Sequence, residues 1–223
     1  MVKSRDQSKG GRRRRQDGEE TRLRIMDAAL DSLREEGYAA ATARSIAARG
    51  GFNAALIFYH FGSVDELFLA GLERSSGARL ARYRAAIGGV TDLVEFVRVL
   101  RRLYTEDLDA GHISAVQELV AASAFSVTMG SRLAALMEPW FAFSEEFIRQ
   151  FLEGVPFARH LDVRDLTFGM VSLYTGLETM TRLTGGDPAR IVSLFQTAER
   201  VARTVGPLLG LTRTTRRFRG EAL

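Results

Sequence analysis

The sequence has no cysteine, one tryptophan, three histidines and four prolines among its 223 residues. Without cysteine there can be neither disulfides nor thiolate metal sites, which accords with a reducing compartment. The histidines (His60, His112 and His160) are scattered and show no metal-ligand spacing. No phosphate-cradling glycine motif is present. Carboxylate pairs such as Glu145 and Glu146 are adjacent, so on a helix they point in different directions, as on a solvated face. No run approaches 18 uninterrupted apolar residues, so no membrane span is expected. The charged amino-terminus lacks the apolar run of a secretory signal. No alternating stretch reads as a strand. What remains is an all-α protein expected in the cytoplasm, with no cofactor or metal called for and little that suggests an enzyme.

Apolar residues make up 46% and charged residues 26%, ordinary for a globular protein. The net charge of +4 is unevenly placed. Residues 1–15 hold seven basic side chains, Arg12, Arg13, Arg14 and Arg15 among them, against Asp6, which gives +6 there and −2 over the rest. So polar a segment cannot bury a core of its own. It is either a solubilising leader or a basic arm that lies along a polyanion.

Beyond residue 18 the pattern is helical. Met26, Ala29, Leu30 and Leu33 form one apolar stripe in a helix over 19–36, ended by Gly37. Thr42 can cap a second helix that stops near Gly50 and Gly51. Asn53 can cap a short third helix, and Ser63 to Glu66 form a capping box that opens a fourth. Further helices read as 91–109, 112–127, 130–153, 162–184 and 188–209, the 130–153 segment interrupted by Pro139 and the last opened by Asp187 and Pro188. The expected organisation is a disordered basic arm (1–18), a three-helix unit (19–62), a larger helical domain (63–210) and a flexible tail (211–223).

Three short helices with a tight glycine turn between the second and third make a helix-turn-helix candidate. Within it, "GFNAALIFYHFGS" (51–63) crowds aromatic rings around a histidine. The stretch from Thr21 to Leu67 resembles the DNA-binding domain of TetR-family transcriptional regulators. The resemblance is carried by Arg22, Ile25-Met26, Ala28-Ala29, Gly37, Thr42, Arg44, Ile46-Ala47, Gly51 and His60-Phe61. It implies a helix-turn-helix head for double-stranded DNA and a larger helical body that dimerises and binds a ligand. Thr42 and Arg44 then open the second helix. Asn53, Ala54 and Leu56 face the groove, and Tyr59 and His60 meet the DNA backbone, with packing between helices as the alternative for His60. Phe58 and Phe61 are expected in the core. The sequence departs from the family's habits at Leu56, Phe58 and Val64, where threonine, tyrosine and a basic residue are frequent. The head is therefore poor in polar readers. Apolar side chains could pack on thymine methyls, and Arg12 to Arg15 could supply further affinity to phosphates.

In the body, Tyr104, Gln117, Phe125, Met129, Trp140, Phe141, Tyr174 and Glu178 are candidates to line a pocket for a small apolar or aromatic effector. Leu166, Met170, Leu173 and Leu177 on one helix, with Leu194, Ala198, Val201 and Val205 on the next, are candidates for a homodimer interface. These features point to a homodimeric repressor released from a palindromic operator by its ligand. The alternative is a helical ligand-binding or adaptor protein with weakened DNA recognition.

Overall fold

A computed structural model describes residues 4–153, 155, 158–185, 187 and 189–210, with side chains from residue 16 onward. Among the described residues there are nine α-helices and no strand: α1 (Ser4–Glu36), α2 (Ala43–Gly50), α3 (Ala55–Phe61), α4 (Val64–Ile87), α5 (Leu93–Asp109), α6 (His112–Ser123), α7 (Val127–Leu152), α8 (Val163–Leu183) and α9 (Ala189–Leu208). A 3-10 turn, Ala158–His160, precedes α8. The helix boundaries follow the sequence pattern closely except at the start and between α6 and α7, where α6 stops at Ser123 instead of 127 and α7 opens at Val127 instead of 130. At the start, α1 begins at Ser4 rather than near residue 19. No proline interrupts the segment and its arginine, lysine and glutamine side chains favour a helix, although Gly10, Gly11 and Gly18 oppose it; no apolar stripe marks where it begins.

The chain divides into two compact units. One comprises the residues up to Ser75 together with Glu118–Leu133; the other comprises Ser76–Gln117 and the residues from Ala134 onward. α4, α6 and α7 each contribute to both.

In the first unit α1 packs against α2. Ile25, Met26, Ala28, Ala29 and Leu33 of α1, Ile46 and Ala47 of α2, Ile57 of α3, and Leu67, Phe68, Leu69 and Leu72 of α4 are buried. The turn between α2 and α3 depends on two glycines. Gly51 adopts φ +64°, a left-handed conformation in which its amide reaches the Ala47 carbonyl. A Cβ on Gly50 would lie 2.2 Å from Cε1 of Phe52 and 3.0 Å from Cβ of Ala28, so only glycine lets that ring close over the corner. Thr42 caps α2 reciprocally: its Oγ1 accepts the Ser45 amide at 3.2 Å and its own amide donates to Ser45 Oγ at 3.0 Å. The Asn53 side chain accepts the Ala55 amide at 2.9 Å, and Ser63 accepts that of Glu66 at 3.1 Å. The segment from Glu118 is tied in by Glu118, which accepts the Tyr38 amide at 3.0 Å, and by Arg132, which pairs with Glu66 at 3.0 Å.

In the second unit α5 packs on α9 and α8 meets α9. Asp92 caps α5, Asp162 caps α8, and Asp187 accepts the Ala189 amide at the start of α9. One apolar cluster gathers Tyr83, Ile87, Leu103 and Phe143; another gathers Tyr104, Ile113, Ile191 and Phe195.

Candidate nucleic-acid interface

α3 is two turns long and is held by one fully buried side chain, Ile57. Phe52 and Phe61 are half-buried beside it, and the Arg22 guanidinium lies over the Phe61 ring at 5.0 Å. The opposite face is outward. Tyr59 is 81% exposed and Phe58 54% exposed, with Ala55 between them on the helix surface. Phe58 is therefore not the core residue the sequence pattern predicts. Successive helical residues turn by about 100°, and in so short a helix the single inward position belongs to Ile57. Asn53 is exposed at the helix start, whereas Ala54, Leu56 and His60 are half-buried at the edges of the face. The His60 ring meets the Tyr59 ring edge-on at 4.9 Å, which leaves both its contact and its packing role open. Ala55 is a face residue the sequence reading missed; the period of α3 counted from Ile57 would have found it.

Thr42 and Arg44 are exposed at the start of α2. Arg44 takes part in no ion pair among the described residues, so its charge is available. Arg49, at the other end of α2, is committed within the protein. It donates to Ser32 at 3.0 Å, Glu35 at 2.8 Å and Glu36 at 2.6 Å, which ties α2 to α1. Arg12 to Arg15 fall on the helical backbone of α1, but their side chains lie outside the described residues.

Among the effector candidates, Tyr104, Gln117, Trp140, Phe141, Tyr174 and Glu178 belong to the second unit. Tyr104 is fully buried and meets the Tyr174 ring edge-on at 5.0 Å. Gln117 donates from α6 to the Thr175 carbonyl at 2.7 Å and to Thr179 Oγ1 at 2.8 Å on α8. Trp140 donates to Ser76 at 2.5 Å, and Phe141 is half-buried. Two candidates are misplaced. Phe125 is 94% exposed, because α6 ends at Ser123 and leaves it in the following turn, so it encloses nothing. Met129 is buried but in the first unit.

The polar centre of the second unit is a residue that sequence reasoning missed, Asp107. It is fully buried and accepts from Arg79 at 2.5 Å, Arg82 at 2.5 Å, Tyr83 at 2.9 Å and Tyr174 at 2.6 Å. Burial alone would raise its carboxyl, but Arg79 and the two tyrosine hydroxyls outweigh that and hold it below the usual carboxylate range. Burial also pushes both tyrosine hydroxyls well above their ordinary value, so both remain donors. The signal was present: Asp107 is a lone acid in register with Leu100, Leu103 and Tyr104 on the apolar face of α5.

Of the proposed interface residues, Leu166, Leu173, Leu194 and Val201 are exposed, and Met170, Leu177, Ala198 and Val205 are half-buried. Met180 and Leu208 continue the two stripes at seven-residue spacing, and both are exposed. The opposite side of α9 (Ile191, Phe195, Ala202) is buried. The apolar character of these helices thus exceeds what their own unit covers.

Residues 25–70 match the family described as "Bacterial regulatory proteins, tetR family". An HTH-type transcriptional repressor of Mycobacterium tuberculosis is 34% identical over 127 residues, which are 52% of this chain and 66% of that protein. Residues 25–70 thus carry a segment of the tetR family of bacterial regulatory proteins, and the chain is similar to a DNA-binding transcriptional regulator. It spans just under two thirds of the curated relative's length. Two solved structures share the fold. A transcriptional regulator from Saccharomonospora viridis, in complex with choline, is 22% identical with a TM-score of 0.66, covering 85% of this chain and 96% of that one. The regulator FadR from Bacillus subtilis, in complex with stearoyl-CoA, is 15% identical with a TM-score of 0.64, covering 81% and 96%. Among the described residues no single helix is long and apolar enough to cross a membrane, and no group of three or more histidine, aspartate or glutamate side chains is placed to hold a metal.

Proposed function

We propose that the protein is a cytoplasmic, homodimeric transcriptional repressor that binds a palindromic operator and is released from it by a small, largely apolar ligand. The observation that carries this reading is the outward face of α3: Ala55, Phe58 and Tyr59 project from a helix anchored from behind by Ile57 alone. A recognition helix presents such a face to the major groove while neighbouring groups hold phosphates. Arg44 and Thr42 at the start of α2 suit the second task, and Arg12 to Arg15 add charge to the same helix that carries the head. Support for the dimer comes from the exposed stripes of α8 and α9, since two half-sites require a two-fold pair of heads. Support for a ligand comes from the aromatic and polar side chains gathered around Tyr104, and from the relatives captured with choline and stearoyl-CoA. Support for repression comes from the mycobacterial relative described as a repressor. Release would follow from a ligand that favours a body conformation in which the heads no longer match the half-site spacing.

Selection of bound duplexes from a random pool, with the full chain and with residues 1–18 removed, tests the proposal. A palindromic consensus is expected. Removing the arginines should flatten the salt dependence by roughly 0.9 in log–log slope for each phosphate they neutralise. A pool that shows no enrichment at physiological salt would end this reading.

A further inference from the structure

Three buried side-chain oxygens of the second unit make no hydrogen bond among the described residues; one, Glu199 Oε1, still has the Arg101 guanidinium at 3.4 Å, which leaves two. Tyr104 is fully buried, yet its hydroxyl makes no hydrogen bond, and Glu178, 3% exposed, leaves Oε2 unpaired. The other carboxylate oxygen of Glu178 is well supplied, since Ser114 donates to it and Arg182 pairs with it at 2.9 Å. Buried hydroxyls and carboxylates are ordinarily satisfied, and an orphan is costly unless something fills the place. Phenylalanine would fill the position of Tyr104 without that cost.

The two groups belong to one locality. Tyr104 packs edge-on against Tyr174, which lies one turn before Glu178 on α8. Ile113 packs with Tyr104 in one cluster, and its neighbour Ser114 reaches Glu178. Burial, then the charge of Glu178, pushes the Tyr104 hydroxyl up to about 12, so it stays a donor. A donor and an acceptor are thus left without protein partners, and Tyr174, Phe195 and Ile191 pack around Tyr104.

We propose that Tyr104 and Glu178 form the polar end of the effector site and that its ligand is a neutral hydroxyl compound with an apolar or aromatic body, an alcohol or a phenol. One hydroxyl group completes both partners: it donates to Glu178 Oε2 and accepts from Tyr104. A hydrocarbon would leave both orphaned. A carboxylate would meet the charge of Glu178, and a cation would meet Arg182, which already occupies that carboxylate.

This inference rests on the reading of the second unit as a ligand-binding body, and the experiment separates the two. The full chain is titrated by calorimetry with p-cresol, toluene and p-toluate, and duplex release is followed in parallel with the selected operator. p-Cresol is expected to bind at least about tenfold more tightly than the other two. Tyr104→Phe should abolish that preference without loss of thermal stability, because the hydroxyl it removes has no protein partner. Equal binding of p-cresol and toluene would overturn the proposal. So would a preference that survives Tyr104→Phe, or no binding of any probe, which would leave a single water as the occupant. Selective p-cresol binding without duplex release upholds the site and removes the ligand-released repressor. Release by toluene as effective as release by p-cresol upholds the repressor and removes the hydroxyl site.

Discussion

Replacing Asp107 with asparagine removes one negative charge and almost no volume from the centre of the second unit. The four donors do not lose equally. Arg79 has a side chain only 8% exposed and depends on Asp107 for its counter-charge. Arg82 is 41% exposed and can turn to water or to Glu106. Leaving a buried guanidinium uncompensated costs about 3–5 kcal/mol. Asparagine still accepts from a tyrosine hydroxyl, so the lower end of that range, about 3 kcal/mol, is expected here. In a chain of this size that corresponds to a fall in Tm of about 6–12 °C. Arg82→Ala, which removes only an exposed partner, should cost about 0.5 kcal/mol. Thermal unfolding followed by circular dichroism, repeated across pH, measures both. Because the Asp107 carboxyl is held below its ordinary range, its stabilisation is complete above about pH 4 and is lost as pH falls through the folded value. The gap between wild type and Asp107→Asn should therefore close on acidification and stay constant above neutrality. A fall of under about 2 °C, or an equal fall for Arg82→Ala, would refute the argument that Arg79 is the dependent partner.

Three further perturbations test other parts of the molecule. Gly50→Ala places a methyl group where the Phe52 ring now sits, 2.2 Å from Cε1. The helix-propensity gain of about 1 kcal/mol should be outweighed by overpacking of about 1–3 kcal/mol, seen as a lower Tm and weaker duplex binding. If α3 enters the major groove as proposed, substituting uracil for thymine at the operator positions beneath it removes the methyl groups that the exposed Phe58 and Ala55 would meet. Affinity in a mobility-shift titration should fall by about 1 kcal/mol, roughly fivefold, and Phe58→Ala should be indifferent to the change. Val201→Asp puts a charge on the exposed stripe of α9, and sedimentation should report a monomer whose duplex affinity is lost; a persistent dimer would place the interface elsewhere.

Much of this arrangement can be read from the sequence wherever the controlling interaction is local. Thr42 caps α2, Gly51 turns the chain, Asp187 opens α9, and the stripes of α8 and α9 follow from period alone. The differences arise where the deciding partner is distant or where periodicity is silent. No apolar stripe marks residues 4–18, so period cannot show where α1 begins. Phe58 faces out because α3 has room for one inward side chain, and an aromatic residue carries no sign of which side it takes. Phe125 is exposed because α6 stops at Ser123, and helix ends without a strong cap are the least legible part of a pattern. Asp107 draws donors from α4 and α8 across 24–67 positions of chain, a convergence no local window contains. The orphaned oxygens of Tyr104 and Glu178 are still less visible, since an unmade bond leaves no trace in the pattern.

The clamp on Arg49 has a bearing on how such a protein could diversify. By binding Ser32, Glu35 and Glu36, this side chain fastens α2 to α1 without any help from the outer surface of α3. Ala55, Phe58 and Tyr59 then carry almost none of the burden of folding. A lineage, or an engineer, can therefore exchange those three residues as one would change the bit of a key, while the bow and shaft stay as they are.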